Sequence, residues 1–201
     1  MKIKYSFLFI FLLVAIIGRS QSVLLDSLTL DTVAALTDLQ EALKHPELVI
    51  KLELRRQHLK KFPLEILKFT NLQYLDLTKN NIDELPHEIG ELKNLQYLSL
   101  SKNKLQDLPV EIGQLTNLFY LNLNQNEIGT LPNTIGYLVN LKTIDMWSNL
   151  IDKFPDEMAN LKYLQFMDLR VIMIPDKEQA RLKKLLPETK IEFSPYCKCQ
   201  Q

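Results

Sequence analysis

Very little in this sequence is equipped for covalent or redox chemistry. Only two of the 201 residues are cysteines, Cys197 and Cys199, and both stand at the end of the chain. No disulfide framework can be built from them, and two ligands do not make a zinc site. An i,i+2 disulfide ring is geometrically unfavourable. The pair reads as a loose tail with two thiols, with pairing to another chain as the alternative in an oxidising compartment. The histidines His45, His58 and His87 are scattered and read as surface or turn residues. No HExxH, GxSxG, GxGxxG or Walker sequence occurs, so no nucleotide, metal or other cofactor is expected. Charge of one sign is lacking too. With 24 basic and 24 acidic residues the formal net charge is zero, and neither a nucleic-acid footprint nor an acidic tail is present.

Long apolar runs are equally scarce. Residues 7–17 form one unbroken run of 11 apolar residues, too short to span a bilayer comfortably. Lys2 and Lys4 precede it, and Gly18 and Ser20 stand at −3 and −1 of a cut before Gln21. That is the pattern of a secretory signal peptide over residues 1–20, with an uncleaved N-terminal anchor as the alternative. Arg19 at −2 is slightly awkward for the cut, and no cysteine follows the run to carry a lipid. Cleavage would leave 21 basic and 24 acidic residues, a net charge of −3. The expected location is secreted, periplasmic or cell-envelope, with no membrane contact after cleavage.

What the chain has in abundance is a repeat. Residues 72–94, 95–117 and 118–140 share one template, LxxLxLxxNxLxxLPxxIGxLxN, with a period of 23 residues. Residues 49–71 and 141–163 fit the same pattern, and residues 164–174 begin a sixth unit through Leu164, Met167, Leu169 and Ile174. Lys177, Glu178, Arg181 and Lys184 then occupy apolar and proline positions, and the pattern breaks. In LxLxx the leucines alternate with polar residues, which makes a short strand with one buried face. No unit of this size can bury its own leucines, so the units must stack and share a core. Strands repeated in one direction form a parallel sheet, and the LPxxIGxL half returns the chain outside it.

Period and pattern together resemble the leucine-rich repeat family. The LPxxIGxL half is similar to the Ras-suppressor and Scribble type of repeat, also common in bacterial proteins. The resemblance covers residues 49–174 and implies an α/β solenoid. The solenoid would be curved, with its parallel sheet on the concave face, short helical or extended convex segments, and helical caps. It also implies that Asn80, Asn103, Asn126 and Asn149 lie inside the turns and bond the backbone of adjacent coils. Gln57 and Ile172 replace asparagine in the outer units, which weakens the ladder at both ends. Gly90, Gly113 and Gly136 stand where the return segment turns, a place for positive φ or close packing. Leu67 and Ala159 take that place in the outer units. Animal extracellular members close their ends with several disulfides, and this chain lacks those cysteines.

Both ends need covering, because a terminal coil exposes core and an unpaired strand edge. Residues 21–48 form an N-terminal extension and cap. Thr37-Asp38-Leu39-Gln40 reads as a capping box, with a helix over residues 38–44 ended by His45-Pro46. Leu39, Ala42 and Leu43 would cover the first coil. Residues 175–201 form the other cap. A helix opens at Pro175-Asp176 and runs to Leu186, with Gln179 placed to complete its cap. Ile191 and Phe193 follow in a last strand shifted by one residue from the repeat register, and then a tail.

Three rows of residues point away from the core. The first is Lys51, Tyr74, Tyr97, Tyr120, Thr143 and Phe166; the second Glu53, Asp76, Ser99, Asn122, Asp145 and Asp168; the third Arg55, Thr78, Ser101, Asn124, Trp147 and Arg170. An exposed tyrosine row beside the sole tryptophan is the composition of a protein-binding surface. The competing reading is that the tyrosines stack on one another and stiffen the sheet. Tyr74, Tyr97, Tyr120, Asp145, Trp147, Phe166 and Asp168 are the expected partner-binding residues. Asp145 and Asp168 sit about 5 Å apart on neighbouring strands, as do Glu53 and Asp76. Close carboxylates serve acid–base catalysis or calcium, but an open face excludes no water and no nucleophile accompanies them. The expected function is non-enzymatic binding of a protein partner. An envelope protein binding glycan or surface polymer is the alternative, and an enzyme the third reading.

Overall fold

The structure is a computed structural model that describes residues 23–194; the signal peptide expected over residues 1–20 and the two cysteines lie outside them. Seven strands form one parallel sheet in sequence order: β1 Lys51–Glu53, β2 Tyr74–Asp76, β3 Tyr97–Ser99, β4 Tyr120–Asn122, β5 Thr143–Asp145, β6 Phe166–Leu169 and β7 Lys190–Phe193. Registers repeat every 23 residues, as in Tyr74↔Tyr97 and Leu98↔Leu121. The last pairing, Phe166↔Lys190, carries the one-residue shift. This is the α/β solenoid that the repeat implies.

Alternation decides the core. Leu52, Leu75, Leu98, Leu121, Ile144 and Met167 turn inward from the strand centres and are fully buried. Each return segment is a five-residue 3₁₀ turn, such as Val110–Gln114 or Asn133–Tyr137, entered from a proline. Proline's fixed φ and missing N–H suit that entry. One continuous cluster then runs from Ala42 to Leu186. Each of its large aliphatic side chains contributes roughly 1.5–3 kcal/mol by leaving water.

Polar side chains join the coils at two levels. Asn103 donates to the carbonyls of Leu77 and Leu100 at 3.0 and 2.9 Å and accepts from the Ile82 N–H at 3.0 Å. Asn80, Asn126 and Asn149 repeat this arrangement. A second, outer ladder closes each template. Asn71, Asn94, Asn117 and Asn140 donate to Glu47, Thr70, Lys93 and Thr116 carbonyls at 2.7–2.8 Å.

Gly90, Gly113 and Gly136 serve close packing, and no described glycine has positive φ. A Cβ on Gly113 would lie 2.4 Å from the Thr134 carbonyl oxygen, and one on Gly136 2.3 Å from that of Glu157. The left-handed turn falls instead one residue before the inner ladder. Lys79, Lys102, Gln125, Ser148 and Val171 have φ between 53° and 60°.

The caps depart from the sequence reading in detail. A helix α1, Ser27–Thr32, is opened by Asp26, whose carboxylate accepts from the Thr29 N–H at 2.9 Å. The next, α2, is shorter than the expected helix over residues 38–44 and spans Leu39–Ala42. Its cap is Asp38, accepting from the Glu41 N–H at 3.0 Å, and not Thr37. Thr37 instead gives its carbonyl to the side chain of Gln57. Leu36 pairs in parallel with Leu52 and covers the β1 edge. At the far end α3, Asp176–Leu185, buries Leu182 against the sixth coil. Gln179 does not cap its N–H groups; its amide donates to the Ile174 carbonyl at 2.9 Å. Glu178 accepts from the Phe154 N–H at 3.0 Å and pairs with Arg181, which pins α3 to the fifth coil.

Candidate functional site

The strands hold the three outward rows in register, and the rows are less open than the sequence implied. Tyr74, Tyr97 and Tyr120 stack face to face, with centroids 4.0 and 4.5 Å apart and planes within 5°. Tyr74 is only 7% exposed, while Tyr97 and Tyr120 are half-buried. The expectation of a continuous exposed tyrosine strip is therefore corrected: inner ring faces are spent on each other. Burial pushes all three phenols above their ordinary pKa, Tyr97 most. Lysines flank the row at both ends, Lys51 Nζ 4.4 Å from the Tyr74 centroid and Lys190 Nζ 5.5 Å from that of Phe166. These are cation–π distances.

The second row has a local structural task. Asp76, Asn122, Asp145 and Asp168 each accept from the N–H two residues on, those of Thr78, Asn124, Trp147 and Arg170, at 2.8–3.3 Å. These are Asx turns that lead the chain out of each strand. The carboxylates differ in what else they meet. Asp76 is 3% exposed and bonded to Arg55 Nε at 2.7 Å. Asp168, also 3% exposed, is gripped by Arg170 at 2.6 Å. Burial would raise the Asp168 carboxyl, but the Arg170 hydrogen bonds and charge outweigh it and hold the group below the usual range. Asp168 is thus not the free acid that the sequence reading placed beside Asp145.

Asp145 is the free one. It is half-buried and takes neutral donors, Asn124 Nδ2 at 2.7 Å and the Trp147 N–H at 3.3 Å. Burial raises its carboxyl above the ordinary value and the charge of Asp168 adds to the rise, against the Asn124 and Trp147 hydrogen bonds and the charge of Arg170. Trp147 and Phe166 are both half-buried and stand on the same open face.

One end of that face is occupied by the chain itself. The Gln73 side-chain amide accepts from the Leu25 N–H at 2.8 Å and donates to the Val23 carbonyl at 3.0 Å. Gln96 donates to the Leu25 carbonyl at 2.9 Å and to Gln73 at 2.8 Å. From there α1 crosses to Lys51, whose ammonium lies 3.4 Å from the Asp31 carbonyl. Leu30 of α1 is buried outside the repeat core. This strap was not read from the sequence. Its signal was the dipeptide Gln-Tyr before two successive strands, at Gln73-Tyr74 and Gln96-Tyr97. Both amides are buried and satisfied by the strap.

Among the described residues no group of three or more His, Cys, Asp or Glu side chains converges as a metal site. No described helix is long and apolar enough to cross a membrane. A shallow groove is lined by Arg55, Arg56, Asp76, Thr78 and Lys79.

Comparison with known proteins agrees with this architecture. Residues 47–126 match the family model described as leucine-rich repeat region, and residues 117–138 that described as leucine rich repeat. No curated protein matches by sequence. Among solved structures, a leucine-rich repeat protein of Leptospira interrogans is similar at 36% identity and TM-score 0.58, over 73% of this chain and 43% of its own. An internalin of Listeria monocytogenes has 23% identity and TM-score 0.65, over 76% of this chain and 43% of its own, a likeness of fold alone. A plant peptide hormone receptor, solved in complex with RGF2, has 33% identity and TM-score 0.55 over 71% of this chain and 24% of its own. The chain thus spans less than half the length of these structures.

Proposed function

Given that the chain belongs to the leucine-rich repeat family, we propose that it is a non-enzymatic protein-binding module, exported from the cytoplasm, that docks its partner on the concave strand face. Repeats of this family serve as interaction scaffolds, and the plant receptor above was solved with a bound partner. Export is supported by the basic start, the apolar run and the small residues before Gln21.

The observation that carries the reading is the uncovered end of the open face. The strap takes the end around Lys51, Gln73 and Gln96. Tyr120, Asp145, Trp147 and Phe166 remain half-exposed beyond it. They combine aromatic anchors with one carboxylate, Asp145, whose hydrogen-bond donors are both neutral. The strands already hold these side chains, so binding there loses little ordering entropy. Truncating such anchors commonly costs about 2 kcal/mol or more.

The test is titration of a captured partner. Trp147→Ala and Tyr120→Ala should each weaken binding at least about tenfold without unfolding the chain. Glu88→Ala and Glu111→Ala, on the return side, should change it little. The opposite outcome moves the site off the strand face. Protein recovered outside the cytoplasm should begin near Gln21 by mass, and an intact Met1 would favour the anchor.

A further inference from the structure

The first outward row is an aromatic stack with one member missing. Tyr74, Tyr97 and Tyr120 fill three successive strands, Thr143 the next, and Phe166 the one after. Neighbouring parallel strands lie about 4.8 Å apart, so Tyr120 and Phe166 stand two strands apart on either side of the small Thr143 side chain. The rings of this row stack at 4.0 and 4.5 Å, so the gap has room for one planar group in the place of the missing ring. The outer faces are accounted for: Lys51 covers Tyr74 at one end, and Lys190 lies over Phe166 at the other. The uncovered ring faces of the row therefore look into the gap.

We propose that the gap over Thr143 is a binding slot for one planar cation, the guanidinium of an arginine on the protein partner, sandwiched between Tyr120 and Phe166 and paired with Asp145. Charge argues for a cation. Asp145 follows Thr143 on the same face, and both its hydrogen-bond donors are neutral. The other carboxylates of its row, Asp76 three strands away and the adjacent Asp168, already hold Arg55 and Arg170. The proximity of Asp145 to the slot shows in the Tyr120 phenol, which burial raises first and the Asp145 charge second. Shape argues for guanidinium over ammonium. Guanidinium is planar, stacks on aromatic faces and presents a fork of N–H donors to a carboxylate, whereas lysine is a compact, strongly hydrated point charge.

The inference deepens the concave-face reading, and its test uses no partner, so the two can fail separately. Trp147 is the sole tryptophan and lies on the same strand face two residues beyond Asp145, so its fluorescence reports the slot. The probe is the blocked tripeptide acetyl-Gly-Arg-Gly-amide, titrated into the full chain beside the same peptides carrying citrulline or lysine. The arginine peptide should saturate with a Kd near or below about 10 mM, and citrulline, which keeps the shape without the charge, should bind at least about fivefold more weakly. Lysine should fall between them. Thr143→Tyr completes the stack and should abolish the response. Asp145→Asn should reduce the response to the citrulline level, and it serves alone if the tyrosine variant does not fold. Equal binding of arginine and citrulline, a response that survives in Thr143→Tyr, or no saturation by the arginine peptide overturns the slot. Loss of this response with partner docking intact overturns the slot alone.

Discussion

The inner asparagine ladder is the place to test whether the coils are joined as the geometry says. Asn126 Nδ2 donates to the carbonyls of Leu100 and Leu123 at 3.0 and 2.9 Å, and Oδ1 accepts from the Leu105 N–H at 3.1 Å. In Asn126→Ala the buried Leu105 N–H loses its partner, which costs about 1–3 kcal/mol. The two carbonyls fare better, because Leu100 still holds Asn103 and Leu123 still holds Asn149. Each forfeits one bond, at about 0.5–1.5 kcal/mol. The expected loss is about 2–6 kcal/mol, a large part of an ordinary domain's stability. Asn140→Ala is the control: the residue is exposed and its amide donates to the Thr116 carbonyl. It should cost about 1 kcal/mol or less. The pair Asn103→Ala with Asn126→Ala strips both amides from the Leu100 carbonyl. Their combined loss should therefore exceed the sum of the singles by about 1 kcal/mol or more. Urea unfolding midpoints at constant slope measure all four variants. Equal losses for Asn126→Ala and Asn140→Ala, or strict additivity in the double variant, would refute the shared-carbonyl account.

Other outcomes follow from single contacts. Gly113→Ala should cost about 1–3 kcal/mol, because its Cβ meets the Thr134 carbonyl at 2.4 Å, whereas Gly129→Ala, with nothing within 4 Å, should be close to neutral in thermal unfolding. Glu178 is held below its ordinary pKa first by Arg181 and then by the Phe154 N–H, against the opposing effect of burial. A depressed carboxyl stabilises the fold above its unfolded pKa and loses that contribution as pH falls through the folded value. Below about pH 4, then, α3 should open before the central coils in hydrogen exchange, and Glu178→Gln should already show this at neutral pH. Gln73→Met with Gln96→Met removes the amides that hold the strap; chymotrypsin should then cut near Leu28 at least about tenfold faster, and unchanged protection would show that α1 packing alone fixes it.

Much of this was legible in the sequence because the repeat records packing. Leucines at LxLxx, the proline of each return segment and the asparagine after each strand do the same job in every coil, so a pattern seen three times defines the architecture. The glycines were legible only in part. Their spacing marked a special place, but sequence could not choose between positive φ and close approach, and the left-handed residues turned out to be ones such as Lys102 and Ser148. The capping residue of α2 shifted from Thr37 to Asp38 because both head a plausible box. The strap was illegible for a stronger reason: its contacts span 48 to 71 residues and use side-chain amides, which no local period encodes.

The same logic tells where function should be sought. A position filled alike in every repeat is explained by stacking, and the tyrosines, once seen ring on ring, belong to that class through Tyr120. Asp76 and Asp168 are explained by Asx turns and their arginines. What stacking leaves unexplained are the departures: threonine where the row has rings, tryptophan where it has small polar residues, and a carboxylate bonded only to neutral donors. All three occur on one coil, at Thr143 and Asp145 of β5 and at Trp147 two residues beyond it. Packing has no use for this combination, because it leaves a gap in the stack and a carboxylate without a salt bridge at its edge. A ligand that is flat and positively charged removes both defects at once, and this strand is where the sheet can accept it.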